Sequence, residues 1–357
     1  SGEPKKDGKY FINQSGKASE WTNEGMMKKA EIAQQKGAVG VLFINLMQES
    51  ITSTSARYNK ATGMYFPFGE KEKAKIPVVQ ISHAFAQKIV GDEIKTIIGI
   101  GKSYGFMTGL SFEKNISTSF KLKKESAPVY ASNVLGVLEG TDKKDEYLLL
   151  TAHYDHLGIR NGKIYNGADD DGSGTVAVLQ MAEAFVKAAK EGKRPKRNIV
   201  FMLVSGEEKG LWGSEHYSDH PIFPLEKTTA DLNTDMIGRI DTERKKDDTL
   251  NYVYVVGHDK LSSELPLINE EVNNKYTKLV LDYRFDDPKD PNRIYYRSDH
   301  YNFARKGVPV LFFYDGMLKS DYHQPTDDVE KINWTLYAKR AQMIFHTAWN
   351  MANRKDI

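Results

Sequence analysis

Two hydrophobic rhythms alternate along this 357-residue chain. Met26, Met27, Ala30 and Ala33 recur at helical spacing, which predicts a helix over 24–36 that ends at Gly37. The run Ala38–Ile44 and the run beginning Ile76-Pro77-Val78-Val79 read as buried strands, with Pro77 near a strand start or on an edge. The polar stretch 48–75 reads as loop, 82–90 as a short helix and 95–100 as a further strand. This first region is a small α/β unit without a catalytic constellation.

A second region begins between Gly109 and Pro128. Strands are expected over 117–123 and 133–138. Tyr147 to Ala152 is almost continuously apolar, as in a central strand covered on both faces. Val176, Val178, Leu179, Ala182, Phe185 and Val186 predict a helix over 173–190. Further strands are expected over 198–204, 229–235, 251–256 and 309–314, with helices from 211 and over 333–353. Strands alternating with helices predict a three-layer α/β/α sandwich around a mixed, mostly parallel sheet. The domain reading is 1–112 for the small unit and 113–357 for the sandwich.

Composition narrows the chemistry. Fifty basic and 48 acidic residues leave a net charge of +2, which does not suggest a nucleic-acid binder. The chain has no cysteine, so disulfides, thiol nucleophiles and thiolate metal ligands are all excluded. Any metal site must use His and carboxylates. No apolar run is long enough to span a membrane. The chain starts without Met, as expected of a processed or trimmed chain, and shows no signal peptide.

The acids and histidines collect where strands end, which is where open α/β sheets bind ligands. His153-Tyr154-Asp155-His156 follows one strand. A His two residues before an Asp suggests a metal ligand whose second ring N–H is held by the carboxylate, so His153 is the candidate ligand and Asp155 its orienter. Asp169-Asp170-Asp171 precedes a helix. Three adjacent carboxylates repel one another unless a cation or a helix N-terminus compensates, and one of them is a candidate metal bridge. Glu207-Glu208 follows another strand, where one Glu can bind metal while the other acts as general base. Asp231 to Met236 and Asp321 to Asp327 complete the set. Each cluster alone is more often structural than functional. Together they supply the two His and three carboxylates that a pair of first-row divalent ions sharing one carboxylate needs.

In that order, His-x-Asp, Gly-Ala-x-Asp-Asp-x-Ser-Gly, Glu-Glu, Asn-x-Asp-Met and Tyr-His resemble the secreted bacterial two-zinc aminopeptidases, relatives of glutamate carboxypeptidase and of the non-catalytic transferrin receptor. The resemblance covers about 133 to the C-terminus. It implies two zinc ions bridged by Asp170, one completed by His153 and Asp235 and the other by Glu208 and His323. Glu207 would be the general base, and Tyr322 would stabilise the oxyanion. It also implies a cis Asp170–Asp171 peptide, a peptide substrate and a secreted or periplasmic setting. Asp299 and His300 would stand behind the ligands or touch substrate, and Tyr296, Phe303 and Tyr322 are candidates for an apolar pocket. A carboxypeptidase using Arg293 or Arg297, a glutaminyl cyclase and a receptor-like scaffold are the alternatives. The small unit is similar to a protease-associated domain through Lys36 to Val41 and Ile76 to Val79.

Overall fold

The computed structural model describes residues 5–6, 9–10, 16–17, 26–44, 76–104, 113, 115, 117, 119, 127–244 and 251–355. Contacts divide the chain into two units, Ser1–Ala127 and Pro128–Ile357.

In the first unit β1 (Lys5–Lys6) pairs antiparallel with β2 (Lys9–Tyr10). Helix α1 (Met26–Gln35) precedes β3 (Val41–Ile44), which pairs in parallel with β4 (Val78–Ile81). Helix α2 (His83–Val90) starts at Ser82, whose hydroxyl accepts the Phe85 N–H at 3.1 Å. The expected strand over 95–100 is instead part of a helix, α3 (Glu93–Tyr104). Ile94 and Ile98 lie one helical turn apart and are buried with Ile81 and Ala86, so a period of four places them in the core. The loop read over 48–75 lies outside the described residues. So does most of 117–123, of which the described positions 117 and 119 are not strand.

The second unit is built on a seven-stranded sheet. Its strands are β5 (Val134–Leu138), β6 (Lys143–His153), β9 (Arg197–Val204), β10 (Thr228–Thr234), β11 (Tyr252–Val256), β12 (Val280–Asp282) and β13 (Val310–Tyr314), in the order β12-β11-β13-β10-β6-β9-β5. The pairs β13/β10, β10/β6, β6/β9 and β11/β12 are parallel, while β11/β13 and β5/β9 are antiparallel. A small hairpin, β7 (Gly158–Arg160) with β8 (Lys163–Tyr165), stands apart from this sheet. The mostly parallel mixed sheet is the one expected from the alternation of strands and helices.

Period-two alternation explains why the central strands look uniformly apolar. Leu148 and Leu150 face one core and Leu149 the other; Ile199 and Phe201 likewise oppose Val200 and Met202. Helices α4 (Gly172–Lys190) and α8 (Trp334–Asn353) cover the first face, where Phe185 meets Phe201, Phe345 and Trp349 at ring-centroid distances of 5.9, 5.1 and 5.4 Å. Helix α6 (Glu264–Tyr276) adds Leu265 and Ile268 to that core. Helices α5 (Trp212–Asp219) and α7 (His300–Ala304) cover the second face through Tyr217 and Phe303. Phe303 is fully buried there, so it is a core residue and not part of a substrate pocket.

Candidate metal centre

Four neighbouring parallel strands deliver their carboxyl ends to one place. His153 is the last residue of β6, Asp235 directly follows β10, Glu207 and Glu208 open a short turn after β9, and His323 lies on the loop after β13. Asp170 sits just before α4.

The Asp triplet resolves its own repulsion by sending its side chains in three directions. Asp171 caps α4 by accepting the Gly174 N–H at 2.9 Å, and it also accepts the N–H groups of Met236 at 3.0 Å and His153 at 3.1 Å. Asp169 turns the other way and accepts the Gly238 N–H at 2.8 Å. Only Asp170 faces the cluster, and the Asp170–Asp171 peptide is cis. Two glycines make the turn possible. A Cβ on Gly174 would lie 2.3 Å from both Asp171 Oδ1 and the Thr234 carbonyl. One on Gly167, whose φ is +64°, would lie 2.5 Å from the His156 ring.

Asp170 is shared between two imidazoles. Its Oδ1 is 3.2 Å from His153 Nε2, and its Oδ2 is 3.1 Å from His323 Nε2. On one side His153 Nε2 also meets Asp235 at 3.6 Å and Glu207 at 3.9 Å. On the other, His323 Nε2 is 3.2 Å from Glu208, whose second oxygen is 2.8 Å from His156 Nδ1. The structure thus brings His153, Asp170, Glu207, Glu208, Asp235 and His323 to one cluster.

Asp155 acts differently from the sequence expectation. The second ring nitrogen of His153 meets the Asp155 main-chain carbonyl at 3.0 Å, with the carboxylate 3.8 Å away. The carboxylate instead accepts the Glu207 N–H at 3.1 Å. His156, which lies three residues beyond the end of β6, was not singled out in the sequence. Asp299 and His300 are fully buried. Asp299 accepts the Ser214 hydroxyl at 2.5 Å, and His300 stacks on Phe312 at 4.6 Å, so neither is placed to touch substrate.

The loop carrying Tyr322 and His323 is clamped at its base. Asp321 pairs with Arg239 at 2.5 Å and Lys331 at 2.7 Å, while Asp327 accepts the Asp170 N–H at 3.1 Å. His323 itself has φ +56°, a left-handed backbone that a non-glycine residue adopts only where its surroundings impose it.

The electrostatics call for positive charge. Burial works against a protonated His153, yet Glu207 and Asp235 hold its pKa well above the ordinary imidazole value. Burial opposes protonation of His323 too, but its bonds to Asp170 and Glu208 push it up to about 9. For Asp170 burial favours the neutral form, but the two imidazoles outweigh it and pull the carboxyl below its usual range. Protons here take the place a cation would fill. Burial raises the Glu207 carboxyl well above its ordinary value, opposed by His153 and reinforced by Asp235.

The donor set fits a metal. His153 Nε2, Asp170 Oδ2 and Glu208 Oε1 are buried and meet the neighbouring carboxylates and imidazoles only as ion-pair contacts without hydrogen-bond geometry, an arrangement that is costly unless something else occupies those lone pairs. One group of ligand atoms, from His153, Asp170 and Asp235, lies within 4.8 Å of one another, and a second comes from His156, Asp170 and Glu208. A third group, His258, Asp259 and Asp286, lies elsewhere, with Lys260 Nζ already 3.6 Å from Asp286.

The sequence profile of peptidase family M28 matches residues 133–348, more than half of the chain. The chain belongs to peptidase family M28. Among curated relatives it is 28% identical over 216 residues to a probable leucine aminopeptidase of Trichophyton verrucosum, a match covering 59% of this chain and 55% of the relative. Among solved structures, an aminopeptidase from Aneurinibacillus sp. strain AM-1 is 19% identical with a TM-score of 0.49, covering 63% of this chain and 48% of that one. A zinc aminopeptidase from Bacillus subtilis is 24% identical with a TM-score of 0.48, covering 63% and 51%. This M28 chain spans about half the length of the curated relatives it matches.

Proposed function

We propose that this chain is a two-zinc exopeptidase that releases N-terminal residues from peptides. The observation that carries the reading is Asp170, buried and shared between the His153/Asp235 group and the His323/Glu208 group, with Glu207 3.9 Å from His153. His153 and Asp235 would hold one ion, His323 and Glu208 the other, and Asp170 both. Bound zinc supplies Lewis acidity, which polarises a carbonyl and acidifies water.

The chain's own residues supply the rest. A carboxyl raised by burial suits a general base working near neutral pH. Glu207 takes a proton from the attacking water and returns it to the leaving amine. The Asp155 carboxylate fixes the Glu207 main chain while this happens. Tyr322 donates to the oxygen of the scissile carbonyl as charge develops there. Glu207 and Asp235 also provide negative charge for the substrate's free amine. The family and the probable leucine aminopeptidase relative support this reading. Residues 1–112 are read as a protease-associated-like domain and 113–357 as the peptidase domain, and the protein as secreted or periplasmic, by resemblance.

The test combines elemental analysis of purified protein with a substrate panel. Expected are two zinc ions per chain and hydrolysis of aminoacyl-nitroanilides. A fully metal-loaded protein inert to them would refute the reading, as would preferential cleavage of peptides with a blocked amine and a free carboxyl end.

A further inference from the structure

At the rim of the cluster stands Arg297, just after the turn Ile294–Tyr296. Its guanidinium is exposed and has no carboxylate partner among the described residues. Its Nη2 donates to the Tyr322 hydroxyl oxygen at 2.9 Å, and its carbon lies 5.6 Å from the centre of the Tyr322 ring. The ring itself stacks on His323 at 3.9 Å and 18°. Tyr322 is therefore held on one face by an imidazole and at its oxygen by a cation.

The direction of that hydrogen bond matters. A guanidinium has donors only, so the phenol oxygen must accept. Its own hydrogen is then left for a different acceptor. The ring it belongs to lies flat against His323, whose Nε2 is 3.1 Å from Asp170 and 3.2 Å from Glu208, so Tyr322 borders the cluster directly. A hydroxyl whose oxygen accepts from a cation is also a stronger donor, because each hydrogen bond polarises the next.

We propose that Arg297 is a positioning residue that locks the Tyr322 hydroxyl as a donor turned into the cluster, ready for the oxygen of the scissile carbonyl. This rests on the peptidase reading above. It gives Arg297 a role in hydrolysis itself and not in gripping a carboxylate of the substrate.

The experiment is a double-mutant cycle with a second, metal-independent readout. Y322F is expected to lower kcat roughly 10²–10³-fold, as for loss of one oxyanion donor. R297A is expected to lower kcat by about 10–100-fold, with KM changed by less than about threefold, on leucyl-nitroanilide and leucyl peptides alike. The double variant is expected to be no slower than Y322F, because both remove one interaction. R297K, which keeps a donor, is expected to recover part of the loss. In the metal-free protein the Tyr322 ¹³Cζ resonance, assigned by its absence in Y322F, is expected to shift in R297A. Multiplicative losses, a defect confined to substrates with a free carboxylate, or an unmoved Tyr322 resonance would each overturn the proposal. If the wild-type protein hydrolyses nothing, the peptidase reading fails, and the resonance still decides the Arg297–Tyr322 contact.

Discussion

The carboxylate of Asp155 accepts the main-chain N–H of Glu207 at 3.1 Å, tying the loop after β6 to the loop after β9. Asp155→Ala removes the acceptor and frees the Glu207 backbone. An expected loss of about 10–100-fold in kcat follows, since misplacing a base by a fraction of an ångström is costly. Asp155→Asn keeps an acceptor oxygen and should retain most activity. Equal losses in both would mean that the charge of Asp155 matters and not its hydrogen bond; steady-state kinetics on one substrate decides.

Glu207→Gln leaves every candidate ligand in place while removing the proton acceptor. Turnover should fall by about 10²–10⁴-fold with the metal content unchanged. Atomic absorption beside a rate measurement separates a lost base from a lost ion.

His156 touches Glu208 at 2.8 Å and approaches Asp170 only to 4.0 Å. Its place makes it a support for Glu208. His156→Ala should weaken metal affinity by about 10–100-fold, the usual consequence of removing a partner that orients a ligand. Competitive titration with a chelating dye reads this directly. An unchanged affinity would exclude the supporting role.

Gly174 stands where any side chain would meet Asp171 and the Thr234 carbonyl at 2.3 Å. Gly174→Ala should cost about 1–3 kcal/mol, as expected of overpacking a closed site. Thermal unfolding measures it, and a neutral outcome would show that the start of α4 can shift.

Asp231 is fully buried on β10, and burial lifts its carboxyl to about 8 despite the 2.7 Å hydrogen bond from Thr151. The folded state therefore holds a proton that the unfolded chain releases near pH 4. Stability from this group is complete below about pH 4 and is lost as pH rises towards 8, by roughly 1.4 kcal/mol per pH unit at the steepest. Asp231→Asn should match the wild type at pH 4 and unfold at a higher temperature by pH 8. A constant difference across that range would mean that Asp231 does not carry this proton.

Much of the site was readable because its chemistry is unusual in sequence. Three adjacent aspartates, paired glutamates after an apolar run and a Tyr-His before Asp327 each lack an ordinary explanation when taken together. Central strands were equally plain, since Leu148 to Leu150 fill both cores. What failed was local. The stretch 95–100 reads as a strand, although Ile94 and Ile98 repeat at four and pack as a helix. Phe303 has the chemistry of a pocket residue, and only tertiary packing against Tyr217 at 5.9 Å shows it to be core. His156 carries no pattern of its own; its meaning comes from Glu208, which is distant in the chain.

Since the shared carboxylate is met by one imidazole from β6 and another from beyond β13, no short stretch of the polypeptide can assemble both halves of the cluster. Cation uptake therefore reports that the sheet has closed from its middle to its last-arriving strand. A chain stalled during synthesis before β13 would keep the first imidazole yet capture ions poorly, so tight loading doubles as a check on finished folding.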